Sequence, residues 1–83
     1  MRGITSLSSL GSAIRGARLR AGLTQAELAE RAGMNRATVI SVESGSRFEI
    51  ATLFALTKTL GLELSLRPRE EPEASILDGT EEL

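Results

Sequence analysis

The stretch LTQAELAERAGMN, residues 23–35, holds two helix starts with one glycine between them. Thr24 can accept a hydrogen bond from the amide three residues on, while Glu27 reaches back to the Thr24 amide, closing a capping box. Leu23 and Leu28 occupy the two positions of a hydrophobic staple across that start. Asn35 offers a second cap, with Met34 and Val39 spaced as a second staple. Gly33 between them suits a left-handed helix end. The chain is therefore committed here to two short helices, one running to about Ala32 and one from Asn35 to Ser44, where Gly45 stops it.

Apolar residues elsewhere extend the helical reading. Leu7, Leu10, Ile14, Ala17 and Ala21 recur at three- and four-residue steps, one stripe of an amphipathic helix that stops at Gly22. Ile50, Leu53, Phe54, Leu56 and Leu60 predict a further helix ending at Gly61, its start poorly capped. The period then changes. Leu62, Leu64 and Leu66 alternate with Glu63, Ser65 and Arg67 before Pro68, the pattern of one short strand. Beyond it, RPREEPEASILDGTEEL combines two prolines with many acids and reads as a flexible tail over residues 68–83. The organisation expected is a helical domain over residues 1–61, a strand over 62–67 and the tail.

Composition narrows the function. At 83 residues the chain is one small domain, and such a domain buries only about 60% of the surface its unfolded chain exposes. No cysteine or histidine is present, so disulfides, thiol nucleophiles and histidine-based acid/base chemistry are excluded, and no nucleophile–base set or metal cluster can be assembled. Neither an enzyme nor a cofactor is expected. The uncharged stretch from Gly3 to Ile14 is too short and too rich in serine to span a bilayer, and it makes a poor signal peptide, so a cytoplasmic protein is expected. The net charge of −1 conceals a division: residues 1–60 carry eight Arg/Lys against four Asp/Glu, residues 61–83 two against seven. A basic body thus bears an acidic end.

Two short helices joined by a turn of about three residues match helix-turn-helix spacing, which any small α-hairpin would also satisfy. The segment IRGARLRAGLTQAELAERAGMNRATVISVESG is more specific: it resembles the helix-turn-helix domain shared by phage Cro and repressor proteins and their bacterial relatives, over Leu10 to Leu60. FEIATLFALTKTLGLELSLRP extends the likeness, because it resembles the HipB type of antitoxin, whose fourth helix is followed by a leucine-alternating strand and a polar tail. The resemblance implies an all-α, compact four-to-five-helix Cro/repressor-type domain with one C-terminal β-strand that pairs between subunits. It also implies an antitoxin that represses its own operon as a homodimer on palindromic operator DNA and binds a HipA-like toxin kinase.

In that fold the third helix lies in the major groove with its N-terminal residues nearest the bases. Val39, Val42 and Met34 then face the core, leaving Arg36, Ala37, Ile40 and Ser41 as candidates to read sequence. Arg36 suits guanine, whose O6 and N7 accept two bonds from a guanidinium; its alternative role is a phosphate contact. Ala37 and Ile40 offer apolar contact to a thymine methyl, while Ser41 specifies little. Gln25 matches the family position that bonds a backbone phosphate, and Asn35, Thr38 and Arg47 are further phosphate candidates. Arg18 and Glu43 match a family ion pair that orients the recognition helix.

A lone strand leaves its backbone unpaired, and the sequence offers no second one. Leu62, Glu63, Leu64, Ser65, Leu66 and Arg67 are accordingly expected to pair with the same strand of a second copy. The alternatives are that the segment merely extends along its own domain with its leucines as core filler, or continues the fourth helix, the latter opposed by Gly61 and Pro68. The tail has two readings, solvating disorder or a partner-docking segment anchored by Ile76, Leu77 and Leu83. Two alternatives to the antitoxin remain: a stand-alone dimeric repressor, and an interaction module that has lost DNA binding.

Overall fold

The computed structural model describes residues 3–68, and these form four helices. They are α1 (Leu7–Arg20), α2 (Gln25–Ala32), α3 (Arg36–Glu43) and α4 (Ile50–Leu60). The acidic stretch from residue 69 onward lies outside the described residues.

Local chemistry sets three of the four helix starts. The Glu27 amide donates to Thr24 Oγ1 at 3.0 Å and the Thr24 amide donates to Glu27 Oε1 at 2.8 Å, so the expected capping box is closed. Those bonds, the backbone one foremost, hold the Glu27 carboxyl below its ordinary pKa. Asn35 caps α3, its Oδ1 accepting from the Thr38 amide at 3.1 Å. A cap of this kind is worth about 1 kcal/mol. Ser6 and Ser9 make a box at the start of α1 that the sequence reading lacks, because serine replaces the usual glutamate or glutamine. Glu49 opens α4 without any side-chain cap.

Ile14, Leu23, Leu28, Ala29, Val39, Val42, Leu53 and Leu56 form the core, with Leu10, Met34, Phe48 and Leu60 packed around it. The helix α3 packs on both α1 and α2, and α4 closes against the same two helices. Gly33 adopts φ +74°, a left-handed conformation costly for other residues, and lets the chain turn from α2 into the Asn35 cap.

Two features differ from the sequence reading. The buried face of α1 is Gly11, Ile14, Ala17 and Arg18, whereas Leu7 and Ala21 at the ends of the expected stripe are exposed. A close crossing marks the buried face: a Cβ on Gly11 would stand 2.5 Å from the Val42 carbonyl oxygen and 2.7 Å from that of Glu43, so only glycine allows α1 to approach the end of α3. Secondly, residues 62–68 form neither helix nor strand within the single chain, so the strand expected over Leu62–Arg67 is absent among the described residues. A strand takes its hydrogen bonds from a neighbour, and no neighbouring strand exists in these residues. No helix among the described residues is long and apolar enough to cross a membrane.

Candidate nucleic-acid interface

The eight residues of α3 divide cleanly between core and solvent. Val39 and Val42 are fully buried, while Arg36, Ala37 and Ile40 are exposed and Ser41 is half-buried. Four-residue spacing puts Arg36 above Ile40 and Ala37 above Ser41, two adjacent outward rows. All four candidate reading residues therefore share the face opposite the core. Asn35 uses its Oδ1 twice, accepting from the Thr38 amide and from Thr38 Oγ1, both at 3.1 Å. Its amide nitrogen remains available as a donor beside the exposed first turn of α3.

Three elements meet behind that face. Arg18 of α1 donates from Nε to Glu43 Oε2 at 2.6 Å and from Nη2 to Glu43 Oε1 at 3.0 Å, a two-pronged pair with both side chains below a tenth exposed. A third bond runs from Arg18 Nη1 to the Leu23 carbonyl at 2.9 Å, in the turn before α2. The pairing with Glu43 raises the Arg18 pKa against the opposing effect of burial. The pairing expected between Arg18 and Glu43 is thus present. Gln25 belongs to it as well, donating from Nε2 to Glu43 Oε1 at 3.1 Å. The first residue of α2 is thereby fixed to the last of α3, and one amide N–H of Gln25 is committed inward while the other is left to donate.

On the far side of α3 an open cleft of about 410 Å³ is lined by Asn35, Ala37, Thr38 and Ser41 along one wall. Arg47, Phe48, Glu49 and Thr52 form the other. Arg47 is exposed, and the cleft brings it to the same surface as Asn35 and Thr38. Arg36 and Ile40 lie outside the cleft, on the neighbouring row. A bonded framework thus presents one guanidinium from α3, a second from the loop, and several polar groups on a single surface. Such an arrangement is suited to docking a helix into a groove of a polyanion.

Several contributors escaped the sequence reading. Glu49 and Thr52 reach the cleft only because the loop after Gly45 folds back toward α3. The link between Gln25 and Glu43 spans 18 positions and has no periodic signature. Ile50 and Phe54, read as part of the core stripe of α4, are instead 60% and 53% exposed.

The helix-turn-helix family pattern matches residues 14–66. No curated protein sequence matches the chain. Among solved structures, a HipB variant in an O2 20mer complex is 30% identical, with a TM-score of 0.77 over 84% of this chain and 99% of that one. The HipA-HipB-O2-O3 complex contains a chain 28% identical, also at 0.77, over 84% of this chain and all of that one. The restriction-modification controller protein C.AhdI from Aeromonas hydrophila is 33% identical at 0.65, over 69% of this chain and 84% of its own. Fold, ion pair and comparisons agree: the chain belongs to the helix-turn-helix family, as a protein of the HipB type.

Proposed function

We propose that this chain is a DNA-binding antitoxin that acts as a homodimer, represses its own operon by placing α3 in the major groove of palindromic operator DNA, and captures a HipA-like toxin kinase. The DNA reading is carried by the division of α3, whose inner residues Val39 and Val42 are fully buried while Arg36, Ala37 and Ile40 stand free on the outer face. In this reading Arg36 contacts a base, Ala37, Ile40 and Ser41 complete the reading face, and Gln25, Asn35, Thr38 and Arg47 hold phosphates. HipB chains solved as complexes with 20mers and with HipA support both partners.

The dimer reading rests on apolar surface at the end of the chain. Leu62, Leu64 and Leu66 are all exposed, Leu66 at 92%. The helix α4 carries a single charge, Lys58, and exposes Ile50 and Phe54, apolar surface that a partner would cover. A second copy would cover Ile50 and Phe54, and its own Leu62–Arg67 segment would run antiparallel to this one as a two-stranded ladder. Two recognition helices held this way read half-sites about 34 to 36 Å apart.

The likeness to a controller protein favours a second reading, a stand-alone repressor. Coverage weighs against it, because the HipB chains match 84% of this chain and the controller protein 69%. The DNA reading is tested by titrating the chain against duplex DNA at increasing salt. Binding should weaken at least about tenfold between about 50 and 200 mM salt, since displaced counterions drive it. A flat response would refute it.

A further inference from the structure

Glu49 stands at the N-cap of α4 yet makes no cap bond. The helix starts without its help, through a bond of 2.9 Å from the Thr52 amide to the Glu49 carbonyl. Among the described residues the Glu49 carboxylate makes no hydrogen bond or ion pair, although Arg47 lines the same cleft. Glu27 and Glu43 differ in this respect, because Glu27 closes the α2 capping box and Glu43 holds Arg18; Glu30 of α2 is likewise unpartnered but does not line the cleft. Glu49 is thus an exposed anion with no structural partner, on a wall that faces Ala37, Thr38 and Ser41 of α3.

An unpartnered anion on a surface that docks a polyanion weakens docking wherever it meets phosphate. The exception is a base edge that presents an amino donor, as cytosine does at N4 and adenine at N6 in the major groove. Penalising the wrong sequence is as effective a source of specificity as rewarding the right one. We propose that Glu49 is a specificity-determining residue of the DNA interface, its carboxylate accepting a hydrogen bond from the exocyclic amino group of one base in each half-site. This rests on the DNA-binding reading above and adds a residue outside the recognition helix to it.

The test is selection from a randomised duplex library with the unaltered full chain, Glu49→Ala and Glu49→Gln. The unaltered chain should select a motif with an amino-bearing base at one position per half-site. Glu49→Ala should lose that preference by about tenfold, a loss typical of a single base contact, while every other position of the motif is kept. Glu49→Gln should shift the same position toward adenine, which a carboxamide can bond at N6 and N7 together. Because the carboxylate is exposed and caps nothing, both variants should keep the helix content of the parent. Glu49→Ala selecting the parent motif at every position would overturn the proposal. So would equal tightening on all duplexes, which would mean that the charge acts by repulsion alone. A parent chain that selects no sequence would instead overturn the DNA-binding reading and this proposal together.

Discussion

Replacing Glu43 with alanine strands the Arg18 guanidinium where water scarcely reaches it. Arg18 is 7% exposed and directs two of its three side-chain bonds at the Glu43 carboxylate, at 2.6 and 3.0 Å. After the substitution only the 2.9 Å bond to the Leu23 carbonyl remains, and arginine does not shed its proton at any working pH. Removing one member of a buried pair costs about 3 to 5 kcal/mol. A domain of about 60 residues has a total stability of only about 3 to 9 kcal/mol, at roughly 0.05 to 0.15 kcal/mol per residue. Glu43→Ala should therefore lose about a third or more of that stability, and urea titration followed by far-UV circular dichroism measures the loss directly. The double variant Arg18→Met/Glu43→Leu separates charge from packing, since well-packed hydrophobes often replace a buried pair without loss; it should lie within about 2 kcal/mol of the parent. A loss below about 1 kcal/mol for Glu43→Ala, or a double variant as weak as the single one, would refute the reasoning.

Two glycines of α1 should respond in opposite directions to alanine. Gly11→Ala forces a Cβ against the Val42 and Glu43 carbonyls and should cost about 1 to 3 kcal/mol, whereas Gly16→Ala meets only the flexible Arg20 guanidinium at 3.3 Å and should gain about 0.5 to 1 kcal/mol, both read by the same urea titration. Arg36→Ala should weaken binding to a selected duplex by about 5- to 150-fold and relax one base position, while Gln25→Ala should weaken all duplexes alike; the reverse pattern in competitive binding would exchange their roles. Leu64→Asp should yield monomers in sedimentation at concentrations where the parent is dimeric, and a persistent dimer would contradict the shared ribbon. Because the folded state lowers the Glu27 pKa, the unfolded chain binds more protons as the pH drops below the ordinary 4.5. The stabilisation is complete above that pH and is lost on acidification toward the lowered value, so Glu27→Ala should show a flatter acid limb in thermal melts than the parent.

Much of the fold was legible because its signals are local. Thr24, Glu27, Gly33 and Asn35 act within three or four residues of themselves, so their chemistry is readable without knowing what packs where. The outward face of α3 followed from the same logic, once Val39 and Val42 were assigned to the core. Residues whose roles depend on a crossing were illegible. Gly11 looks like filler in a serine-rich stretch until α3 lies against it, and Gln25 carries no sign that its amide will find Glu43. Ile50 and Phe54 satisfied the helical period of α4 but lie on its exposed flank, since a nearly uncharged helix gives periodicity no polar side to set against the core. The strand is a case apart, because alternation at Leu62, Leu64 and Leu66 describes a ladder that one chain cannot complete alone.

The contact at Gly11 also fixes where α3 is held. With α1 pressed against the last carbonyls of α3 and Arg18 gripping Glu43, α3 is fastened at its C-terminal end. Arg36 sits about 10 Å away along the axis, at 1.5 Å per residue. A swing of about 5° around that fastening would carry the Arg36 backbone by about 1 Å, a large fraction of one hydrogen-bond length. In the proposed docking, substitutions beneath α1 that tilt α3 would therefore shift which groups it presents to the DNA without touching the DNA themselves.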